Sequence, residues 1–386
     1  METMTDAQGQ RLESGSHRTL FARSPDVRVS AILVINDRPA STGAPDDSLA
    51  EGQRVLPRGI ACAEIMGKSV LERTATRLRK AGVQTISVIG GPVIPSLPRN
   101  PEVEITVADN SIARWLAAQQ TLLEHGTKGI DIVLMIGLGA YLECNVAEAL
   151  KFHLSTKAPL TQLEDDQGAL DYWVVDSKWF RTAATGCKLP FRYGEFPGLP
   201  VSCPIEGYVN RLAGALDLRR LVLDAFLGRC EIAPSGREVR PGIWLDEGAR
   251  VHARSRLVAP VYVGRRTTVG AAAVITRFSN LERDCRIGDG TVVDQATVLP
   301  HTALGDGLDV SHAVVDGNRF ADLSSNVTFQ MDDPRLLCDN TPSNVPVPRH
   351  RKFVVHPEYG AGDLRFEYSQ GWSRVTGRLA EVFFKG

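Results

Sequence analysis

The residues best placed to do chemistry stand where short apolar runs end. Val29–Ile35 empties into Asn36, Asp37 and Arg38; a second run ends in Gly90 and Gly91, and a third, closing at Ile136, ends in Gly137. Turns of this kind hold phosphates when glycines let backbone N–H groups converge and a cation offsets the charge. Asn36, Arg38, Arg58, Gly90, Gly91 and Gly137 are therefore the candidate cleft for a phosphate-bearing ligand such as a nucleotide, with Arg54 as a further cation. Asp37 works against that use, because a carboxylate beside a phosphate is electrostatically adverse.

The elements that must position these turns alternate strand and helix from residue 29 to about 176. In "GKSVLERTATRLRKAGV", Ser69 and Glu72 form a capping box; Leu71, Ala75 and Leu78 line one face, and Gly82 is a stop. "QTISVIGG" reads as a strand. "SIARWLAAQQTLLEH" reads as a helix capped by Ser111, with Ile112, Trp115, Leu116, Leu122 and Leu123 on its apolar side. "IDIVLMIG" is an apolar strand of the kind found inside parallel sheets, "NVAEALKFHL" a short helix and "DYWVV" a further strand. Such alternation predicts a mostly parallel sheet covered by helices, which binds ligands at the carboxyl ends of its strands. A connector holding Pro190, Pro197, Pro200 and Pro204 leads to "LDLRRLVLDAFLGR", an amphipathic helix that marks the end of this unit.

A second pattern begins near residue 245. Leu245, Val251, Leu257, Val263, Val269, Ile275, Leu281, Ile287, Val293 and Leu299 are aliphatic and six residues apart. If roughly a quarter of positions are Leu, Ile or Val, ten in succession has a chance of ~10⁻⁶ from a given start. Small residues, among them Thr267, Ala273, Ser279 and Cys285, follow four positions later, and Gly264, Gly270 and Gly288 directly follow their aliphatic residues. After a one-residue slip the pattern resumes at Leu304 and Val310. A period of six fits a triangular coil with one short strand per face and a narrow aliphatic interior, the hexapeptide signature of a parallel β-helix.

The remaining properties narrow the class. A formal net charge of −1 leaves no electrostatic footprint for nucleic acid. No apolar run is long enough for a membrane span, and residues 1–28 read as a disordered arm without a secretory leader. Seven scattered cysteines without a C-x-x-C pair read as reduced thiols of a cytoplasmic protein.

An α/β unit followed by hexapeptide repeats resembles the sugar-phosphate nucleotidyltransferase family. "GKSVLERTATRLRKAGVQTISVIGG" is similar to the family's G-K-P-L segment with its helix and strand, and "IVLMIGLGAYLECNVAEALKFH" to its strand, catalytic turn and helix. The resemblance implies a Rossmann-like nucleotidyltransferase domain over 29–230, a left-handed β-helix over 241–330 and a capping or oligomerising tail over 331–386. It also exposes departures. The family's glycine loop G-G-x-G-T-R-L is replaced by Ile35-Asn36-Asp37-Arg38, its lysine by Ile60 with Arg58 nearby, and the metal-binding Asp of its G-D turn by Leu138. A second metal-binding Asp falls in "GYVNRLAG", which offers Asn210 and Arg211. Mg²⁺ needs hard oxygen ligands; Glu143, Asp171 and Asp176 are the replacements on offer, each also readable as a loop or strand-end carboxylate.

Nucleotidyl transfer rests on positioning and charge neutralisation. The expectation is a protein of nucleotide-sugar metabolism with lost or altered catalysis, binding a nucleotide sugar or sugar phosphate and acting in regulation or scaffolding. It would form homo-oligomers or serve an active paralogue, and Mg²⁺ would enter only with catalysis. The alternatives are an active, diverged nucleotidyltransferase that releases pyrophosphate, and a hexapeptide acyltransferase using His252, His301 or His312 as general base.

Overall fold

Six of the seven residues of Val29–Ile35 are buried, and a strand accepts such a run only when both faces of its sheet are covered. The computed structural model describes residues 27–35, 62–91, 103–186 and 194–340, with the backbone of two later strands. In chain order the α/β unit comprises β1 (Val29–Ile35), α1 (Val70–Lys80), β2 (Thr85–Gly90), β3 (Val103–Ala108), α2 (Ser111–Thr127), β4 (Ile132–Leu138) and α3 (Val146–Thr156). It continues through β5 (Leu160–Asp165), β6 (Gly168–Asp176), α4 (Ser177–Gly186), β7 (Val201–Pro204) and α5 (Ala215–Phe226). The last two strands, β8 (Arg351–Val355) and β9 (Leu364–Tyr368), come from the C-terminal segment.

Together they form a nine-stranded sheet in the order β7-β5-β6-β4-β1-β2-β3-β8-β9. The strands from β4 to β8 across β1 run parallel; β6 is antiparallel to both its neighbours, and β9 closes the far edge antiparallel to β8. Alternate residues of β1 serve opposite layers. Ala31, Leu33 and Ile35 pack in one core with Leu71, Leu78 and Leu150, while Ile32 and Val34 pack with Trp115, Ala118 and Phe180 in another. The chain walks from β1 out to β3 and then returns to place β4 on the other side of β1, so the sheet's switch point lies between β1 and β4.

Several local expectations meet different solutions. Ser69 caps α1 as expected, its Oγ accepting the Glu72 N–H at 3.1 Å. The cap of α2 is Asn110 rather than Ser111, and Ile112, expected on the apolar side, is 72% exposed because it sits in the first turn on the outer side. Strand β6 is longer than "DYWVV" and forms a hairpin with β5, whose mixed residues hide its period. The strand around Leu364 to Tyr368 extends the α/β sheet instead of the coil; the predicted helix beyond it lies outside the described residues.

The six-residue repeat builds three parallel sheets visited in rotation. Val263 pairs with Leu281, Val269 with Ile287 and Ile275 with Val293, each 18 residues on, which is one turn of three strands. Val263, Val269, Ile275, Leu281, Ile287 and Val293 are 0–3% exposed and form one core. The small positions bind as well as fit. Thr267 Oγ1 donates to Glu282 O at 2.5 Å and accepts the Cys285 N–H at 3.0 Å, and Thr291 repeats the arrangement with Gly305 O and the Leu308 N–H. Gly264 is required by close approach, since a Cβ there would stand 2.6 Å from the Glu282 carbonyl carbon one coil below.

The slip falls earlier than the spacing implied. Leu281 pairs with Val298, 17 residues on, so Val298 enters the aliphatic core and Leu299 turns outward against α5. The coil's last turn is covered by Leu337–Asp339, antiparallel to Thr302–Leu304, and by the hairpin of Arg319–Asp322 and Val327–Gln330.

Because Ile275 is sealed between two further coils, Ile275→Ala leaves a cavity that its neighbours cannot close. A loss of about 2–5 kcal/mol is expected, read as a lowered unfolding midpoint in denaturant, whereas truncating the exposed Ile112 should change little.

Candidate functional site

Gly137 and Leu138, the last residues of β4, lie beside Val34 and Ile35 of β1, which places the third predicted turn at the switch point. Leu138 is 1% exposed and belongs to the core under α1 and α3, so its side chain serves packing. Asn36, Arg38, Arg58 and the further cation Arg54 lie outside the described residues. Gly90 ends β2 and Gly91 follows it, beside a residue that sequence patterns gave no reason to select.

That residue is Arg114 in the first turn of α2. It is 2% exposed, and its guanidinium donates from Nε to Ala108 O and from Nη1 to Ile35 O, both at 3.1 Å. Its Nη2 stands 2.8 Å from where a Cβ on Gly91 would be. The carboxyl ends of β1, β2 and β3 thus converge on one buried cation, two of whose hydrogen bonds run to strand-end carbonyls. An arginine on the apolar side of a helix is the only trace of it in the sequence.

On the other side of the switch point a cavity of about 40 Å³ lies between α1, α3 and the ends of β4 and β6. Thr74, Arg77, Gly137, Leu138, Cys144 and Tyr172 are among its lining residues. Its volume is on the scale of a few water molecules, far below that of a nucleotide. Tyr172 is 5% exposed, and its hydroxyl has no hydrogen-bond partner among the described residues; burial raises its pKa and keeps it protonated.

Arg77 anchors a network along this wall. It donates to Leu142 O and, at 3.1 Å, to Glu231 Oε2, stands 3.7 Å from Glu143 Oε1 and lies over the Tyr141 ring. Glu143 Oε1 in turn accepts the Tyr141 hydroxyl at 2.6 Å and the Glu231 N–H at 2.7 Å.

The carboxylates proposed for a metal are not brought together. Asp171 lies beside the cavity, whereas Asp176 pairs with Ile132 at the opposite end of β4, where its Oδ1 accepts the Trp179 N–H at 2.7 Å. Asn210 holds a turn, accepting the Leu212 N–H at 3.0 Å and donating to Asp217 O at 2.9 Å, and Arg211 binds the Asp165 carboxylate. Among the described residues no cluster of three or more His, Cys, Asp or Glu side chains has metal-binding geometry. Of the histidines, His252 and His312 are exposed, and His301 stands 3.7 Å from Asp284.

The G-K segment meets the coil. Glu282, with no exposed surface, accepts the Met66 N–H at 2.7 Å and the Gly67 N–H at 3.0 Å, and the Asn280 amide completes its shell at 2.7 Å. Gly67 is required here: its φ is +87°, and a Cβ would come within 2.5 Å of the Tyr262 hydroxyl oxygen. Alongside, Glu64 and Arg283 form an ion pair at 2.6 Å, and Arg219 of α5 donates to Phe278 O at 2.7 Å. Burial raises the pKa of Glu282 and pushes Glu64 up to about 7.

Compared with protein-family models and with curated proteins, the sequence matches none.

The raised carboxyls give this contact a pH dependence. Between the ordinary carboxyl pKa of 4.5 and the folded-state value of about 7, the folded protein holds the Glu64 proton more tightly than the unfolded chain. Stability from this group is therefore fully present below that window and falls as pH rises through it. Denaturant unfolding across the window should show the decline, and Glu64→Gln should flatten it.

Proposed function

We propose that this chain is a nucleotidyltransferase-like protein whose α/β unit no longer carries out ordinary nucleotidyl transfer. It acts by binding a nucleotide sugar or sugar phosphate and by regulating or scaffolding a partner. The single observation that carries this reading is Arg114. A buried guanidinium tied to the carbonyls of Ile35 and Ala108 is committed to the backbone at the strand ends instead of neutralising a phosphate undergoing transfer. Leu138 supports it from the other side of the switch point, since its side chain is committed to the core. Strand order supports the family resemblance, with a parallel centre and one antiparallel strand between β4 and β5. On the same reading the three-sided coil is the left-handed β-helix implied by the repeat of six.

The test is pyrophosphate release with Mg²⁺ across the common nucleoside triphosphates and sugar 1-phosphates, with direct binding of nucleotide sugars measured in parallel. Silence in turnover with saturable binding is the expected result, and Leu138→Asp alone should not restore turnover. Efficient metal-dependent synthesis of any nucleotide sugar would overturn the proposal.

A further inference from the structure

The two ends of the coil differ in charge. Residues 237–258, its opening turn, contain five arginines against three carboxylates. Arg237 and Arg240 lie on the outermost strand of one sheet, Arg250 and Arg256 on the outermost strands of the other two, and Arg254 between those two strands. All five are exposed, and among the described residues none forms an ion pair. Of the nearby carboxylates, Glu238 accepts the Gly242 N–H and Asp246 the Glu247 N–H, both at 2.7 Å, and the exposed Glu247 lies 3.8 Å from Arg265. Behind the arginines, Leu245, Val251 and Leu257 are only half-buried, whereas their counterparts one turn on are sealed.

The other end is acidic. Residues 305–340 contain seven aspartates, no glutamate and two arginines, one of which, Arg335, is held by Asp333 at 2.7 Å. Asp306, Asp309, Asp332 and Asp339 are exposed, and beside them Val327 and Phe329 are 51% and 42% exposed. Helix α5 of the α/β unit packs on the side of the prism, against Tyr262, Leu299 and Val314.

We propose that the arginine end of one copy docks on the aspartate end of a second copy, with half-buried aliphatic residues meeting exposed apolar ones inside the charged rim. Two arginine ends facing each other would repel, so charge selects a head-to-tail contact over a symmetric one. Repetition of such a contact closes into a ring or continues as a filament. Charged residues on sheet edges can also serve only to prevent strand pairing, and that role would leave the chain monomeric. The proposal stands apart from any ligand of the α/β unit.

Sedimentation of the full chain over a concentration series tests it. Mass should rise with concentration at low salt and fall back in roughly 1 M salt, where the screening length is about 3 Å. Arg250→Glu/Arg254→Glu/Arg256→Glu should abolish association, as should Asp306→Arg/Asp309→Arg/Asp332→Arg, each with an unchanged unfolding transition. Mixing the two variants should restore it, because the reversed ends match each other. A wild-type chain that stays monomeric at low salt, a folded variant that associates like wild type, or a mixture of folded variants that fails to recover would each overturn the proposal.

Discussion

The arrangement of the two units depends on one buried carboxylate. Glu282 has no solvent to neutralise it, and a charge or acid in that setting is tolerated only when its lone pairs are filled. Two adjacent backbone N–H groups from the Met66–Gly67 turn and one side-chain amide fill them. The turn that satisfies Glu282 also feeds directly into Ser69, the cap of α1, so the contact fixes where α1 begins. Arg77 and the cavity below it inherit their positions from that start. Removing either side would leave an uncompensated polar group, which makes the contact costlier to break than its hydrogen bonds alone suggest.

A common use of arginine follows through the whole molecule. Arg73 donates to Ile65 O, Arg77 to Leu142 O, Arg114 to Ile35 O and Ala108 O, Arg211 to Gly168 O, and Arg219 to Phe278 O. Each binds a backbone carbonyl, most of them at a strand end or turn. These guanidinium groups thus close the backbone, and those of Arg77 and Arg211 also pair with carboxylates. Desolvation lowers the pKa of Arg73 and Arg219, the latter to about 10, consistent with how deeply these groups are set.

Legibility in the sequence tracked the strength of the repeating signal. The coil was readable because one physical requirement, a small or aliphatic residue facing a narrow interior, recurs at fixed spacing; only the shortened turn before Val298 escaped, since Val298 and Leu299 are both acceptable inward residues. In the α/β unit, β1 and β4 announced themselves as continuous apolar runs. Strand β5 did not, because Thr161, Gln162 and Glu164 interrupt its apolar residues. Of the candidate cleft, Gly90, Gly91 and Gly137 are placed at strand ends as their sequence context implies. Arg114 and Glu282 were invisible: their meaning comes from partners 79 and 216 residues away, and no local pattern encodes such pairings.

The placement of β8 orders events on the ribosome. Its partner β3 is made early, yet β8 comes from residues 351–355, beyond the whole coil. A nascent chain therefore carries β3 as an open edge while more than two hundred further residues, the coil among them, are still being added, and the sheet acquires its last two strands only after the coil. Segments that wait in this way are exposed to wrong strand partners in crowded polysomes. The coil, whose parallel strand pairings reach 17 or 18 residues along the chain, can condense turn by turn during the same interval.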